Sequence, residues 1–448
     1  MNSKRFNVFL NSKILPFNKT IEVDSDKSLS IRSFLIGSIS QNISKAKNIL
    51  ESEDVKSAIS ACRKLGIKIV RTSPKSYKIF GKGLGSLFAK KNTIINFGNS
   101  GTLARLLVGI LSSTPNIEIK IKGDNSLNKR NMKKLIDLMS KFGASFYPKN
   151  KFNFPLKLIS STFPVGINYE AGVSAQLKSA VIFAGLNSYG VTKIKEKIKS
   201  RDHTENLLIQ NNKSIKVKKG KNKIIKIIGK NNLKPININV AGDPSTAAFF
   251  TTLTLLNAGS MIKIKNVGLN PSRTGFYEIL KKQNAKIKFI NLKKQNNEIK
   301  GDILVKSSKL KPIKAPANIY PSTTDEYLLL FLIAGLQKGL SVFKGISDLA
   351  NKESSRALEM KKILNQIGVK CILKKNEMKI FGKGMINAKN KKVTVENLQD
   401  HRIAMNAFIL AILTNAKTLI KNFETVFTSS PSFLNTMKNL GAKFEIQK

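Results

Sequence analysis

The chain of 448 residues has no tryptophan, two cysteines, two histidines, and 27 acidic residues against 78 basic ones. Each shortage excludes something. Cys62 and Cys371 cannot build a disulfide framework, and with His203 and His401 they form no metal-binding Cys/His spacing. Cys62 continues the apolar helical face of Val55, Ile59 and Leu65, so its role is packing. The longest apolar run, Tyr327–Leu336, is half of the roughly 20 residues a membrane span needs. Met1 to Phe17 lacks an apolar core and a cleavage site, so no secretory signal is expected and the chain reads as cytoplasmic. The acid shortage leaves a formal charge of +51, which ordinarily points to nucleic acid or an anionic surface. Here lysine is spread over nearly every segment beside much Asn and Ile, and no nucleic-acid motif accompanies it. Most of this charge reads as compositional bias on solvated faces. A basic RNA-binding protein remains the alternative from a different class.

What is present is a repeat. Six polar clusters run straight into helical segments that are apolar almost all round, at Asp26, Ser100, Ser174, Asp243, Asp325 and Asp400, in steps of 74, 74, 69, 82 and 75 residues. A near-constant step implies one supersecondary unit used six times. A helix apolar on every side must be buried, yet each begins with residues that cap helices and favour anions. A second series interleaves with the first, its amphipathic helices ending at Gly66, Gly143, Asn212, Asn284, Gly368 and Gly441. Met132, Leu135, Ile136, Met139 and Phe142 share one such face, and Met360, Ile363, Leu364 and Ile367 another. The Gly or Asn after each face reads as a C-cap, and the alternating residues that follow as a strand.

Arginine is also scarce. Ten remain among the 78 basic residues, and seven lie in the repeat motifs: Arg32, Arg105, Arg130, Arg201, Arg273, Arg356 and Arg402. Lysine cannot replace a planar fork that holds a carboxylate or phosphate, so a lysine-rich chain keeps arginine where that fork is needed. Arg130, Arg201, Arg273 and Arg356 precede their repeat markers by 13, 11, 11 and 12 residues, which puts them near helix N-termini. Both histidines sit in Asp-His steps and read as supporting groups. Asp325 and Glu353 each open a predicted helix among these cations, where two carboxylates can accept and donate protons in turn. Lys352 adjoins the second of them.

Taken in order, these motifs resemble the 5-enolpyruvylshikimate-3-phosphate synthase family over essentially the whole chain. The elements are Asp26-Lys-Ser-Leu-Ser-Ile-Arg32, Asn99-Ser-Gly-Thr-Leu-Ala-Arg105, Gly123-Asp-Asn-Ser-Leu-Asn-Lys-Arg130, Ser174-Ala-Gln-Leu-Lys-Ser-Ala180, Arg201-Asp-His-Thr-Glu205, Asp243-Pro-Ser-Thr246, Lys352-Glu-Ser-Ser-Arg356 and Asp400-His-Arg402. The resemblance implies a two-domain inside-out α/β barrel of six βαβαββ repeats, three per domain, with the active site in the cleft between the domains. Chain crossings are expected near residues 20–24 and 236–242. One domain would span 23–237, on the side of shikimate 3-phosphate, and the other would combine 1–22 with 238–448.

The implied reaction joins phosphoenolpyruvate to the 5-hydroxyl of shikimate 3-phosphate and releases phosphate, with no metal or organic cofactor and in a monomer. By resemblance, Asp325 takes the hydroxyl proton, Glu353 protonates the methylene carbon, and Lys27 assists. Ser28, Arg32, Ser174, Ala175, Gln176, Arg201 and Lys352, with Lys27 and Asp325, match positions around shikimate 3-phosphate. Lys27, Asn99, Gly101, Thr102, Arg130, Gln176, Arg356 and Arg402 match positions around phosphoenolpyruvate. Gly101 stands where glyphosate-sensitive members keep glycine, so glyphosate is an expected inhibitor. The chain departs from the pattern at Asp24-Ser25 (usually Pro-Gly), Asn131 (usually Pro) and Ser355 (usually Asp). The first two are expected to alter loop stiffness, and the third to free Arg356 from a carboxylate. The rival of the same fold, UDP-N-acetylglucosamine enolpyruvyl transferase, uses a reactive loop cysteine near the end of its first quarter. This chain has none between Cys62 and Cys371.

Overall fold

The computed structural model describes residues 5–218, 220, 222–396 and 399–447. Residues 1–4 and 448, assigned above to the second domain, lie outside that range. The chain forms two compact units. The N-terminal unit comprises Ser25–Ala241 with the hairpin tip Lys294–Glu298, and the C-terminal unit comprises Met1–Asp24, Gly242–Lys293 and Ile299–Lys448. The first boundary falls two residues later than the sequence reading has it. The second falls four later, because strand Asn237–Asn239 still pairs in parallel with Gln41–Lys47.

Six four-stranded sheets are present among the described residues, three in each unit. One repeat shows the pattern. Strand Ile94–Asn96 leads through helix Gly101–Ser112 to the parallel strand Glu118–Lys122. Helix Lys133–Ser140 then leads to Ser145–Tyr147 and Leu156–Ile159, both joined antiparallel in the order 94, 118, 156, 145. The same order recurs with Asn168–Ala171, Val191–Glu196, Lys223–Ile228 and Ile215–Lys218. Other repeats borrow strands from distant sequence. Asn18–Glu22 pairs in parallel with Met261–Gly268, and Asn7–Leu10 fits between Lys417–Ile420 and Glu445–Gln447.

The apolar periodicity accounts for the layers. Helix Tyr327–Leu336 is buried at all ten positions and His401–Thr414 at all fourteen, as all-round apolar segments must be. Each buried Leu, Ile or Phe contributes about 1.5–3 kcal/mol relative to exposure, an upper estimate. The amphipathic series buries one face only, including Met132, Leu135, Met139, Phe142, Met360, Ile363 and Leu364. Gly66, Gly143, Gly368 and Gly441 have φ between 82° and 96° and Asn284 has 69°, which closes the helices before them in the left-handed region. Asn212 does not adopt that conformation. Its helix, His203–Leu208, ends instead in a turn where Asn211 N–H donates to the Leu208 carbonyl (2.8 Å). Gly109 permits a close helix contact, because a Cβ there would lie 2.5 Å from the Ala180 carbonyl oxygen.

The crossing segments are tied locally. Asp26 N–H donates to the Ala241 carbonyl (2.9 Å) within one unit, and Asp243 N–H to the Asp24 carbonyl (2.8 Å) within the other. The buried Asp24 carboxylate accepts from Ser430 Oγ (2.8 Å), Ser432 N (3.0 Å) and Ser432 Oγ (2.7 Å). At the residue where the family pattern has proline, hydrogen bonds fix the chain in place of a ring.

Candidate active site

In the N-terminal unit three buried helices begin with side-chain caps. Asp26, Ser100 and Ser174 accept from the backbone N–H of Leu29 (2.8 Å), Leu103 (3.2 Å) and Leu177 (3.4 Å). Around these ends lie the residues singled out above. Lys27 Nζ is 3.0 Å from the Asp54 carboxylate. Arg32 is buried and donates through Nε to Thr204 (2.8 Å), through Nη2 to Ser179 (3.2 Å), and through Nη1 to the Ser28 carbonyl (3.1 Å). Burial pulls its guanidinium down to about 10, against the pull of Asp26, Glu205 and Glu298 and with a further push from Arg201. A linked set continues from the second helix: Arg130 donates to Asn99 (2.7 Å), Arg105 to Gln176 (2.9 Å), and Gln176 to Thr102 (2.9 Å). A Cβ on Gly101 would sit 2.8 Å from Arg105 Nη1 and 2.9 Å from Arg130 Nη1. Asn99, Gly101, Thr102, Arg130 and Gln176 therefore share one place.

Sequence reasoning missed what stands behind this place. Lys178 is fully buried in its helix between Glu196 and Glu205, at 2.8 Å from each, and Lys223 pairs with the same two carboxylates at 3.6 and 3.0 Å. Glu196 also accepts from Ser200 N (2.8 Å) and Ser200 Oγ (2.6 Å), one residue before Arg201. Burial pushes the Glu205 carboxyl up, but Lys178 and Lys223 more than reverse this and hold it below its ordinary value. The available signal was a lysine inside an otherwise apolar helix, since buried charges occur in pairs. His203 Nδ1 lies 2.9 Å from Glu298 Oε1, a supporting contact.

In the C-terminal unit, three carboxylates converge on Arg356. Its Nε donates to Asp400 Oδ2 (2.9 Å) and its Nη2 to Glu353 Oε2 (2.5 Å), while Nη1 lies 3.6 Å from Asp325 Oδ1. Arg402 Nη2 is 3.5 Å from Asp325 Oδ2, and its Nη1 donates to the Asp325 carbonyl (3.2 Å). Burial alone would lower the Arg356 guanidinium, but Asp400, Glu353 and Asp325 raise it above its ordinary value. Lys352 Nζ pairs with Asp348 (2.6 Å).

Three expectations change here. Asp325 and Glu353 do not open helices: these start at Tyr327 and Arg356, and the two acids occupy the preceding turns. Both carboxylates lie against arginine, Arg356 for the two of them and Arg402 for Asp325. Nor does Ser355 free Arg356, because Asp400, Glu353 and Asp325 already surround that guanidinium. Five of the six repeat caps hold; Asp243 and Asp400 accept from Ser245 N (2.8 Å) and Arg402 N (3.0 Å). Among the described residues no group of three His, Cys, Asp or Glu is placed to hold a metal ion, and no helix is long and apolar enough to cross a membrane.

A family model described as EPSP synthase (3-phosphoshikimate 1-carboxyvinyltransferase) matches residues 12–437. The chain belongs to the EPSP synthase family. It is 35% identical over 438 residues to the 3-phosphoshikimate 1-carboxyvinyltransferase of Zymomonas mobilis, covering 97% of this chain and 96% of that one. With the enzyme of that name from Petrotoga mobilis it shares 36% over 425 residues, covering 94% and 97%. The EPSP synthase of Acinetobacter baumannii superposes with a TM-score of 0.84 at 32% identity over the whole of both chains. The enolpyruvyl transferase NikO of Streptomyces tendae, at 11% identity and a TM-score of 0.75 over 99% of this chain and 98% of its own, shares the fold. EPSP synthase membership thus agrees with the six-repeat α/β architecture.

Proposed function

We propose that the chain transfers the enolpyruvyl group of phosphoenolpyruvate to the 5-hydroxyl of shikimate 3-phosphate, releasing phosphate. The observation that carries this reading is one cluster: Asp325 lies between Arg356 and Arg402, and Glu353 lies on the same Arg356. Two carboxylates held by two guanidiniums supply proton transfer and anion binding in one place.

Asp325 accepts the 5-hydroxyl proton as that oxygen bonds to C2 of phosphoenolpyruvate. Glu353 delivers a proton to C3, giving a tetrahedral ketal phosphate. Glu353, now a carboxylate, then takes a C3 proton back, restoring the double bond as the C2–O bond breaks and its electron pair leaves with phosphate. Arg356, Arg402, Arg130 and Lys27 bind the carboxylate and phosphate of phosphoenolpyruvate, with Asn99, Gly101, Thr102 and Gln176 beside Arg130. In this reading the N-terminal unit serves shikimate 3-phosphate through Lys27, Ser28, Arg32, Ser174, Ala175, Gln176 and Arg201, and Asp325 and Lys352 complete that set. Arg32, buried at a cost to its charged form, gains from a phosphate dianion. Glyphosate inhibits, and the chain acts as a monomer.

The rival transferase gains no support from the thiols. Cys62 and Cys371 are buried, and burial pushes them up to about 11 and about 12.

The test is phosphate release with shikimate 3-phosphate and phosphoenolpyruvate, each omitted in turn. Release only with both present is expected, and Asp325→Asn and Glu353→Gln should each lower kcat about 10²- to 10⁴-fold. Binding of shikimate 3-phosphate without release would mean a non-catalytic relative, and the activity reading would fail.

A further inference from the structure

Asp243, Ser245, Arg273 and Glu326 belong to the repeat pattern, yet the chemistry above gives them no task. They form one buried chain in the C-terminal unit. Arg273 Nη2 donates to Asp243 Oδ1 (3.1 Å) and to Ser245 Oγ (2.8 Å). Ser245 Oγ lies within hydrogen-bond reach of Glu326 Oε1. A hydroxyl has one proton. Because Arg273 donates into the Ser245 oxygen, that proton points to Glu326, which fixes the direction of the whole chain.

Glu326 is 1% exposed and immediately follows Asp325. The two acids form the turn before helix Tyr327–Leu336, and their partners differ. Arg402 grips the carbonyl of Asp325, and Arg402 and Arg356 face its carboxylate. Ser245 grips the carboxylate of Glu326, and Leu330 N–H uses its carbonyl (3.1 Å) to start the helix. Arg356 and Arg402 pull on the Asp325 carboxylate from 3.6 and 3.5 Å. The Glu326 anchor fixes the backbone beside it.

We propose that Glu326, through Ser245 and Arg273, is a positioning residue that aims the Asp325 carboxylate at the substrate hydroxyl. The inference rests on the proposed function, since it needs Asp325 to act as the base. A displacement of about 1 Å at such a group can cost a hundredfold in rate, so removing the anchor acts on kcat more than on binding.

The test is steady-state kinetics of the full chain with Ser245→Ala, Glu326→Ala and Glu326→Gln, at a temperature where circular dichroism shows each folded. Calorimetric binding of shikimate 3-phosphate is measured alongside. Ser245→Ala and Glu326→Ala should lower kcat about 30-fold while KM and calorimetric affinity stay within about twofold. Glu326→Gln, which keeps the acceptor oxygen, should restore most of the loss. If Glu326→Ala does not fold, Ser245→Ala decides. Wild-type kcat in Ser245→Ala, or a kcat loss matched by an equal loss of affinity, would overturn the inference while leaving the activity intact. No phosphate release from the wild-type chain would overturn the underlying reading and the inference with it.

Discussion

Arg32 and Arg356 are the same residue in the same degree of burial, one in each unit, and their charge states are pushed in opposite directions. Arg32 hydrogen-bonds to two hydroxyls and a carbonyl, so desolvation dominates and its guanidinium falls to about 10. Arg356 touches three carboxylates, and their attraction outweighs the same desolvation. Neutral partners orient a cation without cancelling it, which suits a group that must bind a dianion. Carboxylate partners cancel the cation and bring proton-transfer groups together. On the proposed reading, the first arrangement serves binding alone and the second combines anion binding with proton transfer.

The largest expected effect separates the two. Arg356→Met leaves Asp400 and Glu353 without their shared guanidinium and should cost about 3–5 kcal/mol in denaturant unfolding. Arg32→Met removes a guanidinium whose hydrogen-bond partners are neutral, so it should cost less, about 1–3 kcal/mol. It should instead raise KM for shikimate 3-phosphate by roughly 30- to 100-fold, corresponding to about 2–3 kcal/mol of charged hydrogen bonding. Equal stability losses in the two variants would break the comparison.

A second contrast lies behind Arg32, where Glu205 joins Lys178 and Lys223. Its carboxyl is held below the ordinary 4.5. A carboxyl lowered on folding contributes stability that is present above the unfolded value and lost as pH falls through the folded one. Glu205→Gln should therefore cost about 2–4 kcal/mol near neutral pH, and the gap from wild type should narrow progressively below about pH 4.5. Unfolding curves across that window check the sign: a gap that widens in acid would reverse the assignment. A smaller effect is expected at Gly101. The added Cβ of Gly101→Ala meets flexible ends of Arg105 and Arg130 rather than backbone. Stability should change little, while KM for phosphoenolpyruvate and the glyphosate concentration for half inhibition should each rise about tenfold, or about 1.4 kcal/mol.

The repeat was legible because its signals are local. Caps at Asp26, Ser100, Ser174, Asp243 and Asp400, C-terminal glycines such as Gly66 and Gly143, and all-round apolar helices each need only a few neighbouring residues. What stayed hidden depends on partners far along the chain. Glu196 meets Lys178 across 18 residues, Asp400 meets Arg356 across 44, and Asp24 meets Ser430 across 406. The misread start at Asp325 has the same cause, since Arg402 reaches it across 77 residues. At Glu353 the competing arginine is near, Arg356 three residues on, and charge-assisted bonds to guanidinium are strong.

That competition makes Ser355 the finest test of the comparison. The sequence pattern suggested that serine in place of aspartate deprives Arg356 of a carboxylate. Yet Asp400, Glu353 and Asp325 already lie at 2.9, 2.5 and 3.6 Å. A further acid has little guanidinium left to neutralise. Ser355 is the N-cap of helix Arg356–Gln366, and its side chain makes no capping hydrogen bond there. Ser355→Asp should therefore act only through the helix end, stabilising by about 0.3–1 kcal/mol. Paired with Arg356→Met, the substitution should keep that same small value, since the helix end is unchanged. A gain of several kcal/mol that vanishes in the Arg356→Met background would show instead that Arg356 is short of charge, and the contrast with Arg32 would collapse.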